Sequence, residues 1–381
     1  MAHVIVLGAG MVGGLIARDL ADEPGLTVTV VDASQDALDR LVALDPRLNG
    51  RCLDLARPGA VRDAVDGFDL VCGAVPGFLG LATLREVIEA GVDYCDISFM
   101  PEDALTLDDL AQRRNVRAVV DCGVAPGMSN MLAGVAVHRL TSCQRIEILV
   151  GGLPRVPRDP FRYKAAFSPI DVIEEYTRPA RFVERGEIVT RPALSDIEPV
   201  ELPGVDPLES FNTDGLRTLI HTLDVPSMIE KTLRYPGHAA QMRDLRDAGF
   251  FDTAPIDVGA VSVAPRDLTA ALLFPLWTYQ PGEDDLTVMR VSADGDLSGE
   301  PTRLVWDLLD FADPARSASS MARTTAYPCA LVAREILAGR IDQTGVIPPE
   351  RLAIDGALVG RVMDGLAQRG VRLVEQSGPA P

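Results

Sequence analysis

Short apolar runs alternate with segments of helical length over the first third of the chain. Five runs, HVIVL, TVTVV, DLVCGAV, VDYCDI and RAVVD, are typical of buried β-strands. Strands that alternate with helices indicate parallel pairing. We therefore predict an α/β fold that begins with a Rossmann-type, doubly wound parallel sheet over residues 1–125.

The pattern changes beyond this point. Longer mixed segments rich in proline follow, among them EILVGGLP, ARFVERGEIV, DDLTVMRVSA and RLVWDLLDF. They predict a second, α+β domain over residues 126–314, built on an antiparallel or mixed sheet. The run SSMARTTAYPCALVAREILAG and a last amphipathic segment predict C-terminal helices over 315–381 that pack back on the first domain.

Size and charge narrow the class of protein. A length of 381 residues, with 47% hydrophobic and 24% charged residues, is typical of a globular protein of two domains. The formal net charge of −19 disfavours nucleic acid and anionic membranes as partners. No apolar run is long enough for a membrane span, and the six cysteines show no CxxC spacing. We expect a cytoplasmic protein with reduced thiols and no metal site.

The strongest chemical signal is the sequence GAGMVG, which lies between the first strand and a helix. Gly8 permits a tight turn, Gly10 lets the backbone approach a pyrophosphate, and Gly13 allows close packing of strand and helix. Met11 and Val12 complete this dinucleotide-binding loop. The free N–H groups at the start of the helix attract anions. The alternative is a tight turn without a ligand.

Acidic residues and turns follow three other strands. Asp32 ends the second strand about nineteen residues after Gly13, where a carboxylate binds the ribose hydroxyls and repels a 2′-phosphate, so we expect NAD in preference to NADP. Val75 and Pro76 follow a later strand and are expected to line the nicotinamide side. Asp96 is a candidate substrate or ribose ligand, although an ordinary strand-to-helix turn explains it equally well.

These motifs carry a family resemblance. The stretches GAGMVG, VDYCDISF, VVDCGVAPGMSN, YKAAFSPIDVIEEYTRPAR, ESFNTDGLRTL, EKTLRYPGH, SSMARTT and GVIPPE resemble the saccharopine dehydrogenase and lysine 6-dehydrogenase group. The resemblance implies a nicotinamide-dependent oxidoreductase that acts on the C–N bond of an amino acid. It also implies that the second domain, residues 126–314, binds the substrate and forms at least a homodimer. Saccharopine-forming members carry an acidic residue where this chain has Ala125, which favours lysine or a related diamino acid as substrate.

The second domain supplies candidate cations. Only Lys164 and Lys231 among the 36 basic residues are lysines, and lysine, unlike arginine, can lose its proton, so both are acid/base candidates. His238 is the third, because its intrinsic pKa is near neutral. Structural ion pairs and a buried, hydrogen-bonded histidine are the alternatives.

Other residues of the same stretches are candidate substrate ligands. Arg234 offers a planar fork for a carboxylate, and Tyr235 lies beside it. Thr213 and Asp214 are expected at the start of a helix with Arg217 one turn later, where helix capping explains them as well as substrate contact does.

Two further readings remain open. One is a carboxyalkyl-polyamine dehydrogenase of the same family, and the other is a catalytically silent regulator that binds NAD.

Overall fold

The computed structural model describes residues 1–165 and 169–380, so Ala166, Phe167 and Ser168 of the YKAAFSP stretch lie outside the described residues. The chain divides into two compact units. The first comprises Met1–Arg139 and Ala322–Arg372, and the second comprises Leu140–Met321 and Leu373–Pro381.

A parallel sheet forms the centre of the first unit. Its strands within the described residues are β1 (Ala2–Leu7), β2 (Leu26–Asp32), β3 (Asn49–Cys52), β4 (Leu70–Gly73), β5 (Asp93–Asp96), β6 (Arg117–Val119) and β17 (Gly345–Ile347). Their order is β17-β6-β5-β4-β1-β2-β3 and every pairing is parallel. The order reverses between β1 and β4, where doubly wound sheets bind ligands. The predicted fold class is confirmed.

Helices cover this sheet. They are α1 (Met11–Ala21), α2 (Gln35–Leu44), α3 (Ala60–Val65), α4 (Gly77–Ala90), α5 (Asp108–Arg114), α6 (Met128–Arg139), α11 (Ser320–Leu337), α12 (Pro349–Leu352) and α13 (Gly356–Gln368). Aliphatic side chains of β1, β4 and β6 meet those of α3, α4 and α5 in one buried cluster. The burial of such side chains is the main stabilising contribution to the unit.

A mixed sheet forms the second unit. Its described strands are β7 (Ser142–Pro154), β8 (Ala180–Glu184), β9 (Glu187–Arg191), β10 (Glu198–Val200), β11 (Leu208–Asn212), β12 (Ser227–Arg234), β15 (Asp285–Leu297), β16 (Glu300–Phe311) and β18 (Leu373–Pro379). The main path is β10-β11-β12-β7-β15-β16-β18, with the β8–β9 hairpin attached to β12. Strands β12 and β7 pair in parallel and the other pairs are antiparallel, so the predicted mixed sheet is confirmed.

Helices α7 (Pro169–Thr177), α8 (Leu219–Thr222), α9 (His238–Asp247) and α10 (Pro265–Trp277) complete the second unit, with a small hairpin of β13 (Ile256–Val258) and β14 (Val261–Val263). Side chains of α7, α9 and α10 form an aromatic cluster around Tyr176 and Trp277. No helix in the described part of the chain is long and apolar enough to cross a membrane.

Two segments differ from the boundaries expected at residues 125 and 314. Helix α6 belongs to the first unit, where Gly134 brings its backbone against α12. Strand β18 belongs to the second unit, because it pairs with the edge strand β16. The segment after residue 314 therefore contains the strands β17 and β18 as well as helices.

Candidate functional site

The glycine loop of the first unit is closely packed. Gly8 has φ of +114°, and a β-carbon there would collide with the carbonyl oxygen of Ala74 after β4. A β-carbon on Gly13 would collide with the carbonyl oxygen of Gly8. Both positions therefore require glycine for the turn and for the approach of α1 to the loop.

Gly10 differs from these two glycines, since a β-carbon there would meet no atom within 4 Å. Gly10 also precedes α1, whose first turn has no acidic residue and no side-chain cap; that turn contains Met11 and Val12. Open space in front of uncapped N–H groups fits a pyrophosphate. The geometry of this loop thus suits the dinucleotide expected from the sequence.

Asp32 lies beside this loop. Its Oδ2 accepts a hydrogen bond from the N–H of Ala9 at 2.8 Å, and its Oδ1 accepts one from the N–H of Ser34 at 2.8 Å. A carboxylate has lone pairs for about four hydrogen bonds, so capacity remains for ribose hydroxyls. The next turn along the sheet, after β4, holds the buried Val75 and the exposed Pro76, which precedes α4.

Asp96 ends β5 and is fully buried. Its Oδ1 accepts hydrogen bonds from the N–H and the hydroxyl of Ser98, at 2.9 and 2.7 Å, whereas Oδ2 has no partner among the described residues. Burial raises the pKa of Asp96 to about 7, against the effect of the Ser98 hydrogen bonds. A carboxyl group that titrates near neutrality is typical of functional sites, although structural networks also produce it.

Arg234 ends β12, Lys231 lies on the same strand, and Tyr235 follows it directly. Side chains alternate between the faces of a strand, so Glu230, Thr232 and Arg234 share one face, and Lys231 and Tyr235 lie on the other. The first three side chains are all buried. Strand geometry therefore separates Lys231 and Tyr235 from Arg234.

Arg234 is 2% exposed and has three kinds of neighbour. Its Nη2 donates to Oε2 of Glu175 on α7 at 2.6 Å, and its Nη1 donates to the carbonyl oxygen of Leu233. The ring of Tyr163 lies 4.6 Å from the guanidinium carbon. Its Nε has no acceptor among the described residues. A buried charged N–H without an acceptor is costly, so this atom is suited to a ligand oxygen.

His238 lies close to Arg234 but has no free nitrogen. Its Nδ1 is 2.9 Å from the carbonyl oxygen of Phe161, and its Nε2 is 2.8 Å from the hydroxyl of Tyr176. Because a carbonyl only accepts, Nδ1 carries the proton and the tyrosine donates to Nε2. Burial, reinforced by the charge of Arg234, lowers the pKa of His238 to about 3.

Both lysines form ion pairs. Nζ of Lys164 lies 2.7 Å from Oε2 of Glu283 and also donates to the carbonyl oxygen of Thr278. Nζ of Lys231 lies 2.6 Å from Oε2 of Glu198 and donates to the carbonyl oxygen of Asp196. These contacts fit the alternative reading of the lysines as ion-pair partners.

Thr213 and Asp214 do not begin a helix, because α8 begins only at Leu219. The hydroxyl of Thr213 donates to Oε2 of Glu230 at 2.7 Å and lies 2.8 Å from the hydroxyl of Thr232. Asp214 instead accepts two hydrogen bonds, each of 2.9 Å, from the guanidinium of Arg181. The structure thus uses both side chains for tertiary contacts.

Arg217 and Glu230 are two further buried polar residues of the second unit. Arg217 is buried with φ of +55°. Burial raises the pKa of Glu230 to about 8, against the hydrogen bond from Thr213. The Glu230 carboxyl is therefore mostly protonated at neutral pH.

Sequence reasoning missed Glu175, Tyr163, Tyr176 and Glu230. Glu175 lies in the resemblance stretch IDVIEEYTRP, beside Glu174. Helical periodicity over Val172, Ile173 and Tyr176 marks the buried face of α7, and Glu175 lies at its border. That periodicity was the available signal.

Comparison with protein families matches nearly all of the chain. A model described as "Saccharopine dehydrogenase NADP binding domain" matches residues 4–119. A second model, described as "Saccharopine dehydrogenase C-terminal domain", matches residues 123–371.

Individual proteins also match this chain, at low sequence identity. The chain is 22% identical to the Schizosaccharomyces pombe saccharopine dehydrogenase [NADP(+), L-glutamate-forming] over 99% of both chains. It is 22% identical to the mouse mitochondrial alpha-aminoadipic semialdehyde synthase over 94% of this chain, which spans 46% of the mouse protein. The apo saccharopine dehydrogenase (L-Glu forming) of Saccharomyces cerevisiae superposes with a TM-score of 0.80 at 19% identity, covering 99% of this chain and 100% of that one. This likeness establishes the fold.

Proposed function

The chain belongs to the saccharopine dehydrogenase family, and from this premise we propose that it is a nicotinamide-dependent dehydrogenase that oxidises the C–N bond of a free amino acid. The observation that carries the proposal is Arg234, a buried guanidinium whose Nε has no acceptor among the described residues. Such a donor suits the carboxylate of an amino-acid substrate.

The first unit is proposed to hold the cofactor. Gly8, Gly10 and Gly13, with the first turn of α1, form the pyrophosphate cradle, and Asp32 faces the adenosine ribose. When bound, the nicotinamide accepts a hydride from the carbon that bears the amine. The chain itself positions the two reactants and stabilises their charges.

NAD is the proposed cofactor. A carboxylate fixed by the N–H groups of Ala9 and Ser34 accepts ribose hydroxyls and repels a 2′-phosphate. The matching family model and the S. pombe relative are both described with NADP. A preference for NAD would therefore distinguish this chain from that relative.

A diamino acid such as lysine is the proposed substrate, in a lysine 6-dehydrogenase reaction. This choice rests on Ala125, which replaces the acidic residue expected of saccharopine-forming members, and on the buried Nε of Arg234, one N–H donor that suits one carboxylate. Saccharopine and a carboxyalkyl polyamine are the alternative substrates of the same chemistry.

The acid/base group remains a proposal. Lys164 and Lys231 are paired with carboxylates, and both nitrogens of His238 have partners. We therefore assign the loss of the amine proton to the solution at alkaline pH. Asp96, which lies in the first unit, stays a candidate ligand that Asp96→Asn would test.

A homodimer is proposed through α10. Leu268, Leu272 and Leu276 recur every four residues and are 54%, 64% and 54% exposed, so they form one apolar stripe. A second copy of the chain would cover this stripe. Sedimentation should give a dimer for the natural chain and a monomer for Leu272→Glu, whereas a natural monomer would contradict the proposal.

The direct test is a substrate screen. Formation of the reduced cofactor is followed with NAD and with NADP against lysine, ornithine, saccharopine and carboxyalkyl polyamines. We expect turnover with lysine and NAD. Turnover with saccharopine alone would move the chain to the other reaction of the family, and no turnover with any amine would contradict the proposal.

A further inference from the structure

Glu175 is the immediate counter-charge of Arg234. Its Oε2 lies 2.6 Å from Nη2 of Arg234, and the two side chains are 18% and 2% exposed. Burial raises the pKa of the Glu175 carboxyl, and the Arg234 guanidinium acts in the opposite direction. A pair buried to this degree is costly to unbalance, because an extra charge there has little solvent to stabilise it.

Arg234 and Glu175 each keep one polar atom that can bind a ligand. The contacts of the described residues engage only Oε2 of Glu175, and the Nε of Arg234 has no acceptor among them. The pair therefore presents one carboxylate oxygen that can accept a hydrogen bond and one N–H that can donate one. This arrangement matches a ligand that carries an anionic and a cationic group close together.

Charge balance selects the ligand. The Arg234–Glu175 pair is neutral, so a simple carboxylate would leave the buried group with a net charge of −1 and a simple amine with +1. The head of an α-amino acid carries both charges and leaves the group neutral. The nearby rings do not change this balance, since His238 is neutral with a pKa of about 3 and Tyr163 is a phenol whose pKa burial raises. The other charged side chains that act on Glu175 are Asp171 and Arg178, which carry opposite charges.

We infer that Glu175 is a specificity-determining residue that binds the α-ammonium group of the substrate while Arg234 binds its α-carboxylate. The substrate class is thus a free α-amino acid held by its zwitterionic head. This inference rests on the proposed function for the reaction itself, but it concerns binding, and binding can be measured without turnover.

The test compares three ligands by isothermal titration calorimetry. L-Lysine has both head groups, 6-aminohexanoate keeps the carboxylate but lacks the α-ammonium, and cadaverine keeps that ammonium but lacks the carboxylate. The natural protein should bind lysine at least tenfold more tightly than either of the others. In Glu175→Gln, which leaves Arg234 unbalanced, lysine should bind at least tenfold more weakly and 6-aminohexanoate more tightly than before.

Two further variants serve as controls. Glu174→Gln removes the adjacent carboxylate, which lies 3.9 Å from Arg178, and should leave the lysine preference unchanged. Glu175→Asp keeps the negative charge and should retain part of the preference for lysine. This variant keeps the inference testable if Glu175→Gln does not fold.

The outcomes separate the two proposals. An unchanged lysine preference in Glu175→Gln, or no preference in the natural protein, overturns the inference. Zwitterion binding that depends on Glu175, without any cofactor reduction, supports the inference and instead counts against the proposed function.

Discussion

The hydroxyl of Tyr176 donates a hydrogen bond to Nε2 of His238 at 2.8 Å. Together with the contact of Nδ1 to the carbonyl oxygen of Phe161, this bond fixes one neutral tautomer of a fully buried ring. A histidine held in this way lacks a free lone pair with which to accept a proton. His238 therefore joins α9 to Tyr176 of α7 and to Phe161, and we do not assign proton transfer to it.

The first prediction is that His238 stays neutral well below neutral pH. Its pKa in the folded protein is about 3, compared with about 6.5 when unfolded. This difference contributes to the free energy of unfolding above pH 6.5, and the contribution is lost as the pH falls towards 3, by about 1.4 kcal/mol per pH unit. The ring ¹⁵N shifts, assigned by means of His238→Gln, should show no titration between pH 8 and 5. A midpoint near pH 6.5 would contradict the hydrogen-bonded arrangement.

The second prediction concerns the cofactor. Asp32→Ala should weaken NAD binding and admit NADP, because it removes the acceptor of the ribose hydroxyls and the repulsion of a 2′-phosphate. The ratio of kcat/KM for NAD to that for NADP should fall at least tenfold. Asp36→Ala, an exposed carboxylate in the first turn of α2, is the matched control. A natural protein that prefers NADP by tenfold would refute the assignment of Asp32.

The third prediction concerns the carboxylate ligand. Arg234→Lys should raise the KM for the amino acid substantially, since a point charge cannot reproduce a planar fork, with roughly 1.5 to 3 kcal/mol at stake per charged hydrogen bond. Arg290→Lys is the control, because Arg290 makes a two-pronged ion pair with Asp307 on a neighbouring strand. If both variants keep the natural KM and kcat, Arg234 has only a structural role.

The fourth prediction is that amine oxidation accelerates at alkaline pH. Only a neutral amine can release a hydride, and a primary alkyl ammonium has a pKa of about 10.4. The rate with NAD should therefore peak between about pH 9 and 10.5. Samples held at each pH and assayed again at pH 8 control for unfolding. A rate that is flat from pH 6 to 10 would exclude amine deprotonation as the controlling step.

The strands that sequence patterns reveal are the ones that lie inside the sheet. The buried runs around Val4, Val28 and Val71 form β1, β2 and β4 as predicted. Strand β3 was not predicted, because it is an edge strand whose four residues, NGRC, are all exposed and form no apolar run. Strand β17 is only three residues long and pairs with β6 from a distant part of the chain.

In the candidate site, too, only the local patterns could be predicted from the sequence. The glycine spacing is local, so the loop of Gly8, Gly10 and Gly13 could be predicted from the sequence. The partner of Arg234 is Glu175, 59 residues away; the periodicity of α7 places Glu175 at the border of the buried face but does not identify its partner. Thr213 has the sequence context of a helix cap but hydrogen-bonds to a buried Glu230 instead. Such long-range pairings are set by tertiary packing and not by spacing in the sequence.

The most direct test of the central claim is the stoichiometry of C–N bond cleavage. With L-lysine, NAD and water, the account predicts one reduced cofactor, one ammonium ion and one aldehyde for each amine consumed, measured in the same reaction by absorbance, ammonium assay and aldehyde trapping. Reduced cofactor formed without equimolar ammonium, or no reduced cofactor from any amino acid with the natural protein, would contradict the assignment of this chain as a dehydrogenase of a free amino-acid C–N bond.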